Sequence, residues 1–223
     1  MTRYTRTSAH CHGIIHDQPA LLAHWLNAAN SLYQLNVPHR EGGYGNLILS
    51  RWPFQTHQHV SLRFHQRKPR GAQLVVVSTP DGPLHLVNWH LGLAEKERRW
   101  QVNHLLHHPS FLASAHLPTL IAGDYNDWRN TLEGFIFARH RFHQATSPLK
   151  QFRSFPSFMM MMALDKLFYR GRDDLFPVAS GSKDITAVLF PRALDSFYPK
   201  RSSCRVLRCP LQQNDELAVR KSA

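Results

Sequence analysis

A chain of 223 residues and 25.8 kDa with 43% hydrophobic content suits one domain, or at most one and a half, and carries enough apolar residues for a sizeable core, which excludes long disorder. Lys and Arg outnumber Asp and Glu by 27 to 15, a net +12, so the expected partner is acidic or bears phosphate. Cys11, Cys204 and Cys209 cannot form a disulfide framework and no two stand at CxxC spacing; no stretch approaches the length of a membrane span, and the basic start MTRYTRTSAHCHGII lacks the apolar core of a signal peptide, so a soluble, cytoplasmic, monomeric chain is expected.

In chain order, Leu22, Trp25, Leu26, Ala29, Leu32 and Tyr33 recur at helical spacing and predict a helix over 18–35. A polar turn follows at 38–43, then a short strand around Leu47, Ile48 and Leu49 that Pro53 stops. Strands are predicted over 59–64, 72–78 and 84–89, the last two joined as a hairpin by Pro80-Asp81-Gly82-Pro83. Residues 94–107 are charged on one side and carry Trp100, Leu105 and Leu106 on the other, with Glu95 four residues before Arg99, which predicts a helix. Strands are then expected at 117–122 and 164–169. This interleaving favours a layered α/β fold with a mixed sheet.

Two stretches carry chemistry. In LIAGDYNDW (120–128) an apolar strand runs into a Gly turn and presents Asp124, Asn126 and Asp127 at its carboxyl end, where open α/β sheets place active groups. A carboxylate and an amide two residues apart can hold a hard divalent cation and a phosphate oxygen, or can form an Asx turn that caps backbone groups. In LHLVNWHLGL (84–93) a strand ends on His90, a residue type more often packed than catalytic when it stands alone. His104 and His108 share a helix face without a third ligand and read as a surface stripe. The basic run QRKPRG (66–71) reads as a solvated loop or a nucleic-acid contact, and Met159 to Met162 as a loop plug or a ligand-gripping patch. Trp89, Trp100 and Trp128 read as core or rim packing.

The ordered set YGNLILSRWPF (44–54), LVNWHLGLAEKERRWQ (86–101), IAGDYNDW (121–128) and SFPS followed by ALDKLFYRG (154–157, 163–171) resembles the endonuclease/exonuclease/phosphatase superfamily, best over residues 20–171. The resemblance implies an α/β four-layer sandwich of two mixed β-sheets flanked by helices, with the site at one rim. It also implies metal-dependent hydrolysis of a phosphodiester or phosphomonoester by water, with Mg²⁺ or Mn²⁺ as cofactor and a phosphate-ester substrate, nucleic acid among the candidates. His90 looks like the family's first catalytic histidine, and Asp124 and Asn126 like its GDxN element, Asp124 activating water or binding metal and Asn126 orienting the phosphate. Asp165 looks like the carboxylate that orients a second histidine, and Asn46 like a residue lining the site.

The sequence departs from the pattern at both ends. The family's opening Asn and metal-binding Glu have no counterparts, so a fold incomplete at its N-terminal edge is expected. The nearest match to the closing Ser-Asp-His-x-Pro element is ASGSKDITAVLF (179–190), which offers Asp184, while no histidine follows His143. These departures fit either a truncated or frame-disturbed hydrolase or a degenerate member that binds phosphate without turnover. The domain is expected over 18–190, with 191–223 a loosely structured basic tail.

Overall fold

The computed structural model describes residues 17–40, 42–153, 161–171, 187–189 and 205–207. Ten strands and three α-helices are assigned among them. The chain starts with α1 (Gln18–Trp25), whose Asp17 carboxylate accepts the Ala20 N–H at 3.2 Å and whose second residue is Pro19, an ordinary helix opening. This helix is shorter than the apolar spacing predicts. Asn27 takes a left-handed conformation (φ 50°) and ends it, and residues 30–39 become β1 (Asn30–His39) instead. None of the α1 residues is buried, so nothing rewards extending the helical face, whereas Leu32 gains packing and Gln34 burial by pairing with β2 (Gly42–Ser50).

The main sheet has six strands in the order β3-β4-β5-β6-β8-β7: β3 (Phe54–Ser61), β4 (Gly71–Thr79), β5 (Gly82–His90), β6 (Thr119–Asp124), β8 (Asp165–Arg170) and β7 (His143–Gln144). The strand expected at 59–64 thus lies earlier, because Phe54 to Ser61 zip against β4. The expected β4–β5 hairpin is present, closing at Thr79 and Gly82, and β5 and β6 are the parallel pair in an otherwise antiparallel sheet. A right-handed crossover between parallel neighbours needs a covering element. Here α2 (Glu95–Leu106) and α3 (Pro109–Leu112) supply it, burying Val102, Leu105, Leu106 and Phe111 against Trp89, Ile121 and Phe168. The other face of the sheet carries Val75 and Val77, which meet Ile48 of the β1–β2 ribbon. The result is the expected α/β sandwich of two sheets with helices. A separate antiparallel ribbon joins β9 (Ala187–Leu189) to β10 (Arg205–Leu207). SFPS, Met159, Met160 and Asp184 lie outside the described residues. Among the described residues no helix is long and apolar enough to cross a membrane.

Amide side chains bridge the two sheets. Gln73 donates to the Leu32 carbonyl at 2.8 Å, and Asn88 donates to the Leu47 carbonyl and the Gln73 side-chain oxygen, each at 3.1 Å. These bonds keep buried polar groups satisfied while fixing the ribbon's position on the sheet.

At the far end of β5, His85 is buried beside Phe111 with Nδ1 3.4 Å from the Thr119 hydroxyl, and Nε2 has no hydrogen-bond partner among the described residues. Burial, reinforced by the Arg170 charge, pushes its pKa down to about 4. The folded state therefore holds this imidazole neutral, and its contribution to stability is complete above about pH 6.5 and lost as pH falls toward about 4, where the folded protein also takes the proton. Urea unfolding at pH 7.5 and about pH 5 is expected to show wild type losing about 2 kcal/mol more than His85→Gln between the two conditions; equal losses would refute this role for His85.

Candidate functional site

The site is set by strand register. His90 ends β5 opposite Asp124 in the parallel ladder, and Asp124 ends β6 opposite Asp165 in the antiparallel ladder, so the three side chains form a row across three strands. All lie on the face turned toward the β1–β2 ribbon, because side chains alternate along each strand and Trp89, Ile121 and Phe168 occupy the helix-covered face. Gly123 makes the close approach of β5 and β6 feasible: a Cβ there would sit 2.0 Å from the Trp89 carbonyl oxygen, and its φ of 145° disfavours any side chain.

Beyond Asp124 the chain turns sharply. Asn126 is left-handed (φ 48°), and its N–H donates to Asp124 Oδ1 at 2.8 Å, which is the Asx-turn arrangement. The other carboxylate oxygen, Oδ2, lies 3.6 Å from His90 Nε2. One carboxylate therefore makes the turn and faces His90. Two more bonds stitch this loop to the one leaving β5: the Leu91 N–H donates to the Asp124 carbonyl and Asn126 Nδ2 donates to the Leu91 carbonyl, both at 2.8 Å.

Beside the row opens a cleft of about 170 Å³. His90, Asn126 and Leu93 line one side, and Asn36, Tyr44, Lys68 and Arg70 line the other. The Lys68 ammonium sits 4.7 Å from the Tyr44 ring centroid, a cation–π contact that holds it at the wall. The basic run is therefore divided: Lys68 and Arg70 face the cleft, while Arg67 reaches Glu97 at 3.4 Å. Lys68, Arg70 and His90 thus meet at one cleft. Asn46 does not line the cleft. It is buried behind the lining residues Tyr44 and Gly45, with Nδ2 donating to the Gly71 carbonyl at 2.8 Å.

On the helix side of the same loops lies a cluster that sequence reasoning noted only as one more acidic residue. Asp127 has no exposed surface; its carboxylate accepts from the Leu132 N–H at 2.9 Å and the Thr131 hydroxyl at 3.0 Å, and lies 3.6 Å from Arg98 Nη2 and 3.5 Å from Lys166 Nζ. Lys166, also buried, donates to the Asp127 carbonyl at 2.5 Å and to Asn130 Oδ1 at 2.6 Å. Arg98 also donates through Nη1 to the Leu93 carbonyl. Burial alone would raise the Asp127 pKa, but the Leu132 and Thr131 bonds and the Lys166 charge outweigh it and hold the carboxyl below its usual range. Burial lowers the Lys166 pKa, with Asp127 opposing that shift. The signal for this cluster was present in the second Asp of GDYND and the Lys of LDK, each placed next to a site residue.

Asp124 and Asp165, adjacent in register, are hard oxygen donors of the kind Mg²⁺ takes one or two of while keeping waters and substrate oxygens. Among the described residues no group of three or more His, Cys, Asp or Glu could by itself hold a metal ion. The helix histidines are engaged otherwise, as the surface-stripe reading expects: His104 stacks on Trp100 with centroids 4.7 Å apart, and His108 Nδ1 accepts the Ser110 N–H.

Comparison with known proteins places these observations in context. The sequence profile described as the Endonuclease/Exonuclease/phosphatase family matches residues 13–182. The Uncharacterized protein YbhP of Escherichia coli is 27% identical over 158 residues, covering 66% of this chain and 59% of that protein's length, so this chain spans about three-fifths of its relative. Among solved structures, a mannosyl-6-phosphatase of Bacteroides thetaiotaomicron is 14% identical with a TM-score of 0.55, covering 68% of this chain and 66% of its own. The human Nocturnin catalytic domain with a bound sulfate anion is 14% identical with a TM-score of 0.51, covering 69% and 64% respectively. These structures share the fold.

Asp127 is the carboxylate that Arg98 and Lys166 both approach, at 3.6 and 3.5 Å, and Asp127→Ala would leave two buried cations without it. The expected loss is about 3–5 kcal/mol in urea unfolding. Adding Lys166→Met to that variant should recover part of it, and a single variant as stable as wild type would show that the cluster does not hold the loop.

Proposed function

The chain belongs to the endonuclease/exonuclease/phosphatase family, a superfamily of phosphoesterases that generally depend on a divalent metal, and from this membership we propose that it is a metal-dependent hydrolase of phosphodiesters or phosphomonoesters using His90, Asp124 and Asn126. The observation that carries the proposal is the meeting of the His90–Asp124 pair with Asn126, Lys68 and Arg70 at one cleft.

In this reading Lys68 and Arg70 draw the phosphate group in by charge, and His90, with Asp124 beside it, hydrogen-bonds a phosphate oxygen. Asn126, held in its turn by Leu91 and Asp124, orients the same group. Water attacks phosphorus: a new P–O bond forms from the water oxygen, the ester P–O bond breaks, and the departing oxygen takes a proton from solvent water and leaves as the alcohol. Asp124 accepts the proton that water loses. The metal, Mg²⁺ or Mn²⁺, would be held by Asp124 with Asp165 as the neighbouring carboxylate, and would supply neutralisation of phosphate charge. Asn46 acts indirectly in this scheme, by holding the Gly71 backbone next to Arg70.

A second reading, a member that binds phosphate without turnover, is favoured by one observation: the sequence carries no histidine after His143 to match the Ser-Asp-His-x-Pro element that closes the family pattern. Hydrolysis of bis-p-nitrophenyl phosphate by the full chain with Mg²⁺ or Mn²⁺ separates the two. The expected result is turnover that His90→Ala and Asp124→Ala each reduce by about 10² to 10⁴-fold. Turnover unchanged in both variants would sink the site assignment, and inactive wild type that still binds inorganic phosphate would establish the second reading.

A further inference from the structure

Two pairs of histidine rings meet on the helix-covered side of the molecule, and their hydrogen bonds tell them apart. The ring centroids of His104 and His108 are 5.7 Å apart, as are those of His107 and His140. The Ser110 N–H can only donate, so His108 Nδ1 carries no proton, and the proton of the neutral ring sits on Nε2. Neither nitrogen of His108 then offers an uncommitted lone pair, and its partner His104 is stacked on Trp100. His107 is the reverse case. Its Nδ1 lies 2.8 Å from the Asn103 carbonyl oxygen, which can only accept, so Nδ1 carries the proton and Nε2 keeps its lone pair. A carbonyl at Nδ1 is one of the partners that fix the tautomer of metal-bound histidines. The backbone on each side is anchored. His107 caps the C-terminal end of α2, and its N–H bonds the Asn103 carbonyl at 3.2 Å. His140 ends a 3₁₀ turn (Ala138–His140) that follows the core residue Phe137, and Arg170 donates to its carbonyl at 3.4 Å. Arg170 is the last residue of β8 and Asp165 the first, so this pair lies toward the opposite end of the sheet from the row.

We propose that His107, through Nε2, and His140 together hold one divalent transition-metal ion, with water completing its coordination, at a site separate from the cleft. An ion about 2.0–2.1 Å from a ring nitrogen stands about 3 Å from that ring's centroid, so two rings sharing one ion stand up to about 6 Å apart. The separation of 5.7 Å is within this reach. The C-terminal end of the 12-residue α2, where His107 sits, carries partial negative charge and favours a cation. Burial first, and then the charges of His107 and Arg170, lower the His140 pKa, so its ring is neutral at pH 7, the form that ligates. Two imidazoles with no carboxylate suit Cu²⁺, Ni²⁺ and Zn²⁺, whereas Mg²⁺ and Mn²⁺ prefer oxygen donors. Arg170 opposes any cation here, and two protein ligands are fewer than a closed structural site has, so the bound ion exchanges readily and Cu²⁺ binds ahead of Ni²⁺ and Zn²⁺.

Isothermal titration of the full chain with Ni²⁺ tests the pair without any assay of hydrolysis. The sequence has 16 histidines, so the quantity to follow is the tightest-binding equivalent. Wild type is expected to bind one such equivalent, and His107→Ala and His140→Ala, which lie on different elements, should each weaken it by about 10-fold or more. The double variant should bind no more weakly than either single one, because one substitution already leaves the ion a single imidazole. Replacing both His104 and His108 by Ala should leave the equivalent in place, and a large excess of Mg²⁺ should not displace it. The proposal is overturned by a wild type with no such equivalent, by either single variant binding Ni²⁺ as wild type does, or by losses that simply add in the double variant. It is equally overturned if the His104 and His108 substitutions abolish the equivalent, or if Mg²⁺ displaces it.

Discussion

The Asp127 carboxylate receives an amide, a hydroxyl and the approach of two cationic side chains where no water reaches it, and the positions of the site loops depend on that arrangement. Arg98 comes from the helix that follows β5, Lys166 from β8 and Asp127 from the loop after β6. One buried cluster thus ties together the three segments that deliver His90, Asp124 and Asp165. Charges taken out of water are costly unless fully paired, so this cluster has a narrow set of acceptable geometries. Asp127 and Lys166 each stand one position from a residue that lines the cleft or stands in the row, and Arg98 bonds the carbonyl of the lining residue Leu93. The network lies on the helix face of the sheet and the row on the ribbon face, so rigidity is supplied from behind the surface that carries the row.

Much of this was legible in the sequence for identifiable reasons. Leu74 to Val77 and Leu120 to Ala122 are continuous apolar runs, and both became strands buried on two faces, the setting in which such runs are stable. The hairpin at Thr79–Gly82 was readable from its turn residues, and Gly82 does take a positive φ of 110°. What misled was residues 26–35, where helical spacing of Leu26, Ala29, Leu32 and Tyr33 competed with strand pairing. Periodicity reports which residues want burial and not which partner will bury them, and β2 was the partner available.

The site was legible through motif order more than through physics. Spacing along the chain placed His90 and Asp124 thirty-four residues apart, and only strand register brings them opposite each other. From sequence, the Asx turn at Asp124 stood against holding a cation and a phosphate oxygen; in the structure one carboxylate oxygen makes the turn and the other faces His90. The division of the basic run between cleft wall and Glu97 likewise follows from the packing of loop 62–70 over α2, through Gln101 donating to the Leu62 carbonyl, which composition cannot reveal.

The parallel pairing of β5 and β6 has a consequence for how such a chain can diversify. Both strands run out at the same end, so the loops after them and the facing segment from Lys68 to Arg70 meet there, while the register that aligns His90 with Asp124 is held by backbone bonds deeper in the sheet. Residues along those loops can drift without moving the row, so descendants of one ancestral sequence can change the lining of the cleft while inheriting the same alignment of His90, Asp124 and Asp165.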